Sequence, residues 1–248
     1  MAMFTTPKWM LSHLFVVSML VVMTAAGFWQ LDRLDQRRAS NDEIRAASEA
    51  TAQPIEDLLD RIEAGETVPD QTAVTVTGRF VTDTDLLVAN RTFDTEPGFW
   101  LATPFELDDG RLVMVSQGWI PRDVASGESP QPVSTPSGRV EIDGRLFESV
   151  DGGRIGSDVN GVGQVSRLDL DAAEEALGID VVDRWVQAAN PDWERGVVPI
   201  PVPRPTLDEG PHLSYAFQWF FFTTATIVAY TLILRRRRRE AAIEAAAA

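Results

Sequence analysis

Leu213 to Arg239 reads LSYAFQWFFFTTATIVAYTLILRRRRR, and this run decides the architecture. Its first 22 residues, Leu213 to Leu234, carry no formal charge, and five consecutive arginines follow, Arg235 to Arg239. At about 1.5 Å of rise per helical residue, such a helix crosses a hydrocarbon core of about 30 Å. Arginines collect on the cytoplasmic flank of membrane spans, so this end is expected in the cytoplasm.

Working back along the chain, Trp9 to Leu31 is a second uncharged stretch, of 23 residues. Ala25-Ala26-Gly27 offers the small residues of a signal-peptide cleavage site. The apolar stretch exceeds the ~7–15 residues of such a signal, however, and runs on through Phe28-Trp29-Gln30-Leu31. It reads as an uncleaved anchor. Arg33, Arg37 and Arg38 on its outer flank run against the deduced orientation and Lys8 on the inner flank agrees weakly, but the block of five arginines outweighs them. The expected organisation is a membrane protein with two transmembrane α-helices flanking an extracytoplasmic β-rich α+β domain. Its segments are a cytoplasmic N-terminus (1–8), a transmembrane helix (9–32), the outer domain (33–211), a second transmembrane helix (212–234) and a cytoplasmic basic tail (235–248). That describes a multi-pass membrane protein, in contact with lipid and with both termini inside.

Of the 248 residues, 22 are Lys or Arg and 37 are Asp or Glu, a net charge of −15. Residues 39–211 hold 33 acidic and 13 basic side chains, a net of −20. A domain of that sign repels phosphate, which excludes nucleic acid as a partner and keeps the domain off anionic headgroups. Its expected partners are proteins. The chain has no cysteine, so disulfides, thiolate metal sites, iron–sulfur clusters and covalent haem attachment are excluded. His13 and His212 are the only histidines, which removes Cys/His zinc clusters.

Between the spans, Gln36 to Ala50 extends the first helix with polar residues. Ile55, Leu58, Leu59 and Ile62 form the stripe of a short helix between Pro54 and Gly65. Alternation then predicts strands over Val74–Val81, Thr84–Asn90, Phe99–Leu107 and Arg111–Ile120, the last two joined at Asp108-Asp109-Gly110. Leu112-Val113-Met114-Val115 is apolar on both faces, as in a strand covered twice. Further strands are expected at Arg139–Phe147, Val162–Leu168 and Val181–Ala188. Asp171 with Glu174 suggests a capping box for a short helix ending near Gly178. Pro199 to Pro205 reads as a stiff strut.

Enzyme chemistry finds no footing. Neither histidine lies in the outer domain proper, and there is no H-E-x-x-H, P-loop or dinucleotide fingerprint. Asp151–Gly156 and Gly161–Gly163 are turns.

The membrane boundary is richer. His212, Tyr215, Ala216, Trp219, Thr223, Thr226 and Tyr230 share one helix face. His212 follows Pro211 in the first turn, where the helix dipole disfavours imidazolium and leaves a neutral nitrogen for a metal. Haem iron suits such a place, since a flat ring can slot between aromatic side chains. Asp208 and Glu209 oppose its propionates. The plainer alternative stays open, that the aromatics form an interfacial belt and His212 bonds to water. Trp29 and Gln30 end the first span at the same depth, and Gly27 permits close helix approach. His13 lies roughly 27 Å away, too far to share an iron with His212.

These residues carry a resemblance. Gly27-Phe28-Trp29-Gln30-Leu31-x-Arg33 is similar to the first-span signature of the Surfeit locus family of cytochrome c oxidase assembly factors. Val74-x-Val76-x-Gly78-x-Phe80, Gly98 to Phe105, Gly118-Trp119-Ile120-Pro121 and Gly144-Arg145-Leu146 match its middle. His212-Leu213-x-Tyr215-Ala216-x-Gln218-Trp219-Phe220 resembles its second-span motif, and order and topology agree over residues 9–234. The single lysine among many arginines suits an actinobacterial member.

The resemblance implies a non-enzymatic chaperone that assists haem a insertion or stabilises an oxidase assembly intermediate. In bacterial members haem a is assigned to the second-span histidine, here His212. Transiently bound haem a would then have His212 as axial ligand, Tyr215 and Trp219 as walls, and Trp29 or Gln30 closing the first-span side. Gly98, Gly118, Trp119 and Pro121 are the expected contacts to cytochrome c oxidase subunits, foremost the haem-bearing one. A scaffold or accessory subunit that binds those polypeptides without haem remains the alternative. The sequence departs from the family pattern at Gln117, where a basic residue is common, and at Pro211, where a polar one is.

Overall fold

A tight turn at Asp108-Asp109-Gly110 organises the β-rich half of the chain. Gly110 takes φ 92°, a left-handed value that suits glycine, and Leu107 N–H donates to Arg111 O at 2.9 Å. The turn joins β4 (Glu96–Leu107) to β5 (Leu112–Pro121), the longest paired strands. The computed structural model describes residues 6–129, 133, 135–189, 198–203 and 206–247. They form two compact units, one from residues 43–205 and one from 6–42 with 206–247.

In the first of these, β1 (Gln53–Pro54) leads into α2 (Ile55–Glu63), followed by β2 (Thr72–Phe80) and β3 (Leu86–Phe93). After β4 and β5 come the short α3 (Arg122–Ala125), β6 (Val140–Glu148), β7 (Gly163–Val165), α4 (Leu170–Leu177) and β8 (Arg184–Ala188). The sheet order is β1-β2-β6-β8-β5-β4-β3-β7, with a further pairing of β2 to β4. That pairing closes β2, β6, β8, β5 and β4 into a ring, while β1, β3 and β7 extend it. Closure requires β4 to serve two neighbours on one side: its beginning pairs with β3 and Phe105–Leu107 with β2. It also explains Gly78, which continues β2 instead of interrupting it, because a Cβ there would collide with Glu106 O.

Val74, Val76, Phe105, Val113, Val115, Ile142, Leu146 and Val186 fill the ring, and Ile55, Leu58 and Leu59 of α2 join that cluster. Met114, one residue out of phase, faces a second cluster with Phe147, Trp185 and the Leu170-Ala172-Ala173 side of α4. The doubly covered strand expected at 112–115 is therefore β5. The strand and helix expectations hold with shifted ends, with two local differences. The N-cap of α4 is Asp169, which accepts from Ala172 N–H, and Glu174 instead accepts from Val181 N–H. Asp171 merely occupies the first turn. The strut is no free spacer, since Ile200 exchanges two backbone hydrogen bonds of 2.7 Å with Trp119. Its residues 204 and 205, and residues 130–132 and 134 between α3 and β6, lie outside the described set.

The second unit consists of α1 (Pro7–Glu49), up to residue 42, and α5 (His212–Ala247). Both helices are long and apolar enough to cross a membrane. The less exposed residues of α1 include the series Trp9, His13, Val16, Leu20, Met23, Gly27, Gln30 and Leu34, and those of α5 the series His212, Ala216, Trp219, Thr223, Thr226 and Tyr230. Steps of three and four alternate in both, the spacing of helices that pack along a seam. The pair is antiparallel: Gln30 meets His212 at one end and His13 meets Tyr230 at the other.

Candidate functional site

At the seam, small residues set the distance between helices. A side chain added at Gly27 would begin 2.7 Å from the Phe220 ring, so glycine is what lets that ring pack against α1. Phe28 adds an edge-to-face contact to Phe220 at 5.4 Å, and Ala216 is almost wholly buried. Above them, α5 begins at His212. Tyr215 N–H and Ser214 Oγ–H both donate to Pro211 O, which fixes the first turn without a side-chain cap from position 211.

His212 Nδ1 then lies 2.9 Å from Gln30 Oε1. A carbonyl oxygen only accepts, so Nδ1 is the donor of this contact, and in the neutral ring of that tautomer Nε2 is the nitrogen left with a lone pair. Nε2 turns toward Gly210, where an added Cβ would stand 3.5 Å away; φ of +67° there also favours glycine. The imidazole is thus oriented through Nδ1 and meets no side chain at position 210 beside Nε2, an arrangement compatible with a metal-ligating histidine.

The turn before α5 is clamped to α1. Arg38 makes a fork onto Glu209, with Nε–Oε1 at 2.9 Å and Nη2–Oε2 at 2.8 Å, which holds the Glu209 carboxyl below its ordinary range. Arg37 Nε and Asn41 Nδ2 both donate to Asp208 O. Sequence reasoning missed this clamp, although its signal was present: basic residues that follow the first apolar stretch face acids that precede the second. The arginines that argued against the orientation have this local employment, and the fork offsets one of the two acids beside His212.

Of the five proposed cofactor contacts, His212 and Gln30 come together and Trp219 shares their seam, touching Phe222 edge-on. Trp29 and Tyr215 are exposed and point away from it. His13 bonds to Tyr230 through Nδ1 and lies beside Trp9.

The four proposed partner contacts are placed differently. Gly98 is buried with the Trp119 indole 2.6 Å from where its Cβ would be, Gly118 has Ile200 O in the corresponding place, and Trp119 is 2% exposed. Pro121 alone of the four reaches the surface, on an open groove with Pro97, Arg122 and Glu128. Gln117 sits at the bulge of β5 and is fully buried, its Nε2 donating to Thr103 Oγ1 at 2.7 Å and Thr135 Oγ1 at 3.1 Å. The neutral amide is fully engaged where the resemblance would have placed a cation. No group of three or more His, Asp or Glu able to hold a metal occurs among the described residues.

The sequence model of the SURF1 family matches residues 17–224, a span containing both Gln30 and His212. An uncharacterized SURF1-like protein of Mycobacterium bovis is 28% identical over 223 residues, covering 88% of this chain and 80% of that protein. One from Mycobacterium tuberculosis has the same values. A SURF1-like protein of Rickettsia bellii is 25% identical over 224 residues, 85% of this chain and 86% of its own length.

Proposed function

This chain belongs to the SURF1 family, and from that premise we propose that it is a membrane-anchored, non-enzymatic assembly factor for a haem–copper cytochrome c oxidase. The β-rich unit is extracytoplasmic in this reading, both termini are cytoplasmic, and the outer ends of α1 and α5 hold haem a for the oxidase subunit that receives it.

The observation that carries the reading is the His212–Gln30 pair. The donor set fits the group: one imidazole nitrogen is occupied by an amide oxygen, the other is free beside a residue without a side chain. His212 would hold the group through a ring nitrogen, Gln30 would orient that imidazole, and Trp219 would flank it. Haem a, when bound, supplies an iron that accepts one such nitrogen. The Arg38–Glu209 fork removes part of the negative charge that propionates would otherwise meet. Water exclusion comes from the apolar seam below, where Gly27, Ala216 and Phe220 pack.

The test is the haem a content of protein purified from cells that make this cofactor. Wild type is expected to retain it and His212→Ala to lose it. Equal content in both overturns the ligand assignment; oxidase subunits still co-purifying with a haem-free wild type would make the protein a scaffold instead.

A further inference from the structure

Arg91 lies on β3 where the register to β4 shifts, just after Asn90, whose φ is +57°. A bulge re-aims the side chain that follows it. Here the guanidinium carbon comes to rest 4.0 Å from the centre of the Trp100 ring. The segment is held in place from beneath: Trp119 Nε1–H donates to Arg91 O at 3.2 Å, and Trp119 in turn fills the space that Gly98 leaves.

The charge so placed is not balanced. Arg91 Nε is enclosed and has no acceptor. Burial draws the guanidinium pKa below its ordinary value, and Arg167, of like charge, adds to that. Arg167 is exposed and gives Nη1–H only to the backbone oxygen of Asp151. Acids are abundant in this unit and are spent on other arginines: Arg61, Arg79, Arg111, Arg139 and Arg184 each hold a carboxylate. Among the described residues none is recorded against Arg91 or Arg167. A half-buried cation beside a second cation is costly unless an anion completes it.

We propose that Arg91, assisted by Arg167, is the recognition site for a single carboxylate of a partner polypeptide, an Asp or Glu side chain or a chain end, presented to the Trp100 face of β3 and β4. Stacking on the indole covers the flat side of the guanidinium and, with Nε enclosed, leaves its two Nη groups, which match the two oxygens of a carboxylate. The surrounding charge selects the source. A domain near −20 repels extended polyanions and anionic bilayers at long range, whereas one carboxylate on a docked chain meets only the local field. The site does not depend on haem, and the buried Gly98 and Trp119 act as its foundation.

The full-length protein in neutral detergent is titrated, at constant ionic strength, with the blocked peptide acetyl-Gly-Gly-Glu-Gly-Gly-amide while the Arg91 Nε–H resonance is followed by NMR. A saturable shift is expected. Its midpoint should rise about tenfold in Arg91→Lys, which keeps the charge and loses the fork, with the loss followed on the Trp100 indole resonance. A rise of about threefold is expected in Arg167→Gln, an exposed position where folding is not at stake. The same peptide with glutamine for glutamate, inorganic phosphate, and vesicles of phosphatidylglycerol form the comparison arms. An equal response to the glutamine peptide, to phosphate or to the vesicles overturns the proposal. So does a titration unchanged in both variants.

Discussion

Gln30 and His212 are 182 residues apart in sequence and 2.9 Å apart in space, joined through Oε1 and Nδ1. The bond serves two ends: it ties α1 to α5 and selects which ring nitrogen stays free. Gln30→Leu removes both. We expect haem affinity to fall by about 10- to 100-fold, the usual effect of losing the partner of a ligating histidine. Gln30→Glu keeps an acceptor and should retain binding, with the absorption spectrum shifted because a carboxylate makes the imidazole more basic. Titration with haem followed by absorbance decides it; equal affinity in wild type and Gln30→Leu contradicts the orienting role.

Packing of the pair depends on Gly27. Any side chain there meets the Phe220 ring at 2.7 Å, tighter than van der Waals contact allows. Gly27→Leu is expected to cost about 1–3 kcal/mol, as overpacking typically does. Phe220→Ala in the same chain should recover most of it by vacating the space. Thermal melting in detergent measures both. Failure of the second change to rescue the first would place the strain elsewhere.

Orientation can be read with cysteines, since the chain has none of its own. Ser137 and Ala242 are exposed, one in the β-rich unit and one beyond the arginine block. In intact cells an impermeant maleimide should label Ser137→Cys, and should label Ala242→Cys only after lysis. The reverse pattern would turn the protein over, and with it the compartment in which His212 works.

Much of this architecture was legible in the chain, for reasons of composition. Twenty-odd uncharged residues followed by five arginines admit few readings, alternation at 74–80 reflects a ring strand with one face inward, and the unbroken apolar run at 112–115 one covered on both faces. Pairing across long loops was not legible. Helix periodicity put His212 on a face and Gln30 at the same depth, but not 2.9 Å apart, because the rotation of α1 is set by where Gly27 admits Phe220. The same helical rotation leaves Trp29 and Tyr215 facing out. The resemblance made Trp119 an expected partner contact. Tertiary pairing with Ile200 buried it. Asp169 won the N-cap of α4 over Asp171 by having its side chain beside Ala172 N–H, a difference of two residues that spacing alone does not resolve.

The β4–β5 turn offers a test by pH. Arg111 reaches Asp109 at 2.6 Å, Asp60 at 2.9 Å and Glu63 at 3.2 Å, so one guanidinium binds the turn to α2. Burial would raise the Asp109 carboxyl, but the hydrogen bonds and charge of Arg111 outweigh it and hold the pKa below its ordinary 3.8. A carboxyl whose folded pKa is depressed contributes stability above its unfolded value and loses it as pH falls through the folded one. Acidification from about pH 5 to about pH 2 should therefore weaken this tie progressively. Arg111→Met keeps the apolar stem and removes the charge. It is expected to cost about 1 kcal/mol near neutrality, a modest figure because the carboxylates are largely exposed. The variant should also be less sensitive to acid over that window, and urea unfolding at several pH values compares the two. Parallel pH profiles for wild type and Arg111→Met would mean that the turn and α2 are held together by their apolar contacts alone.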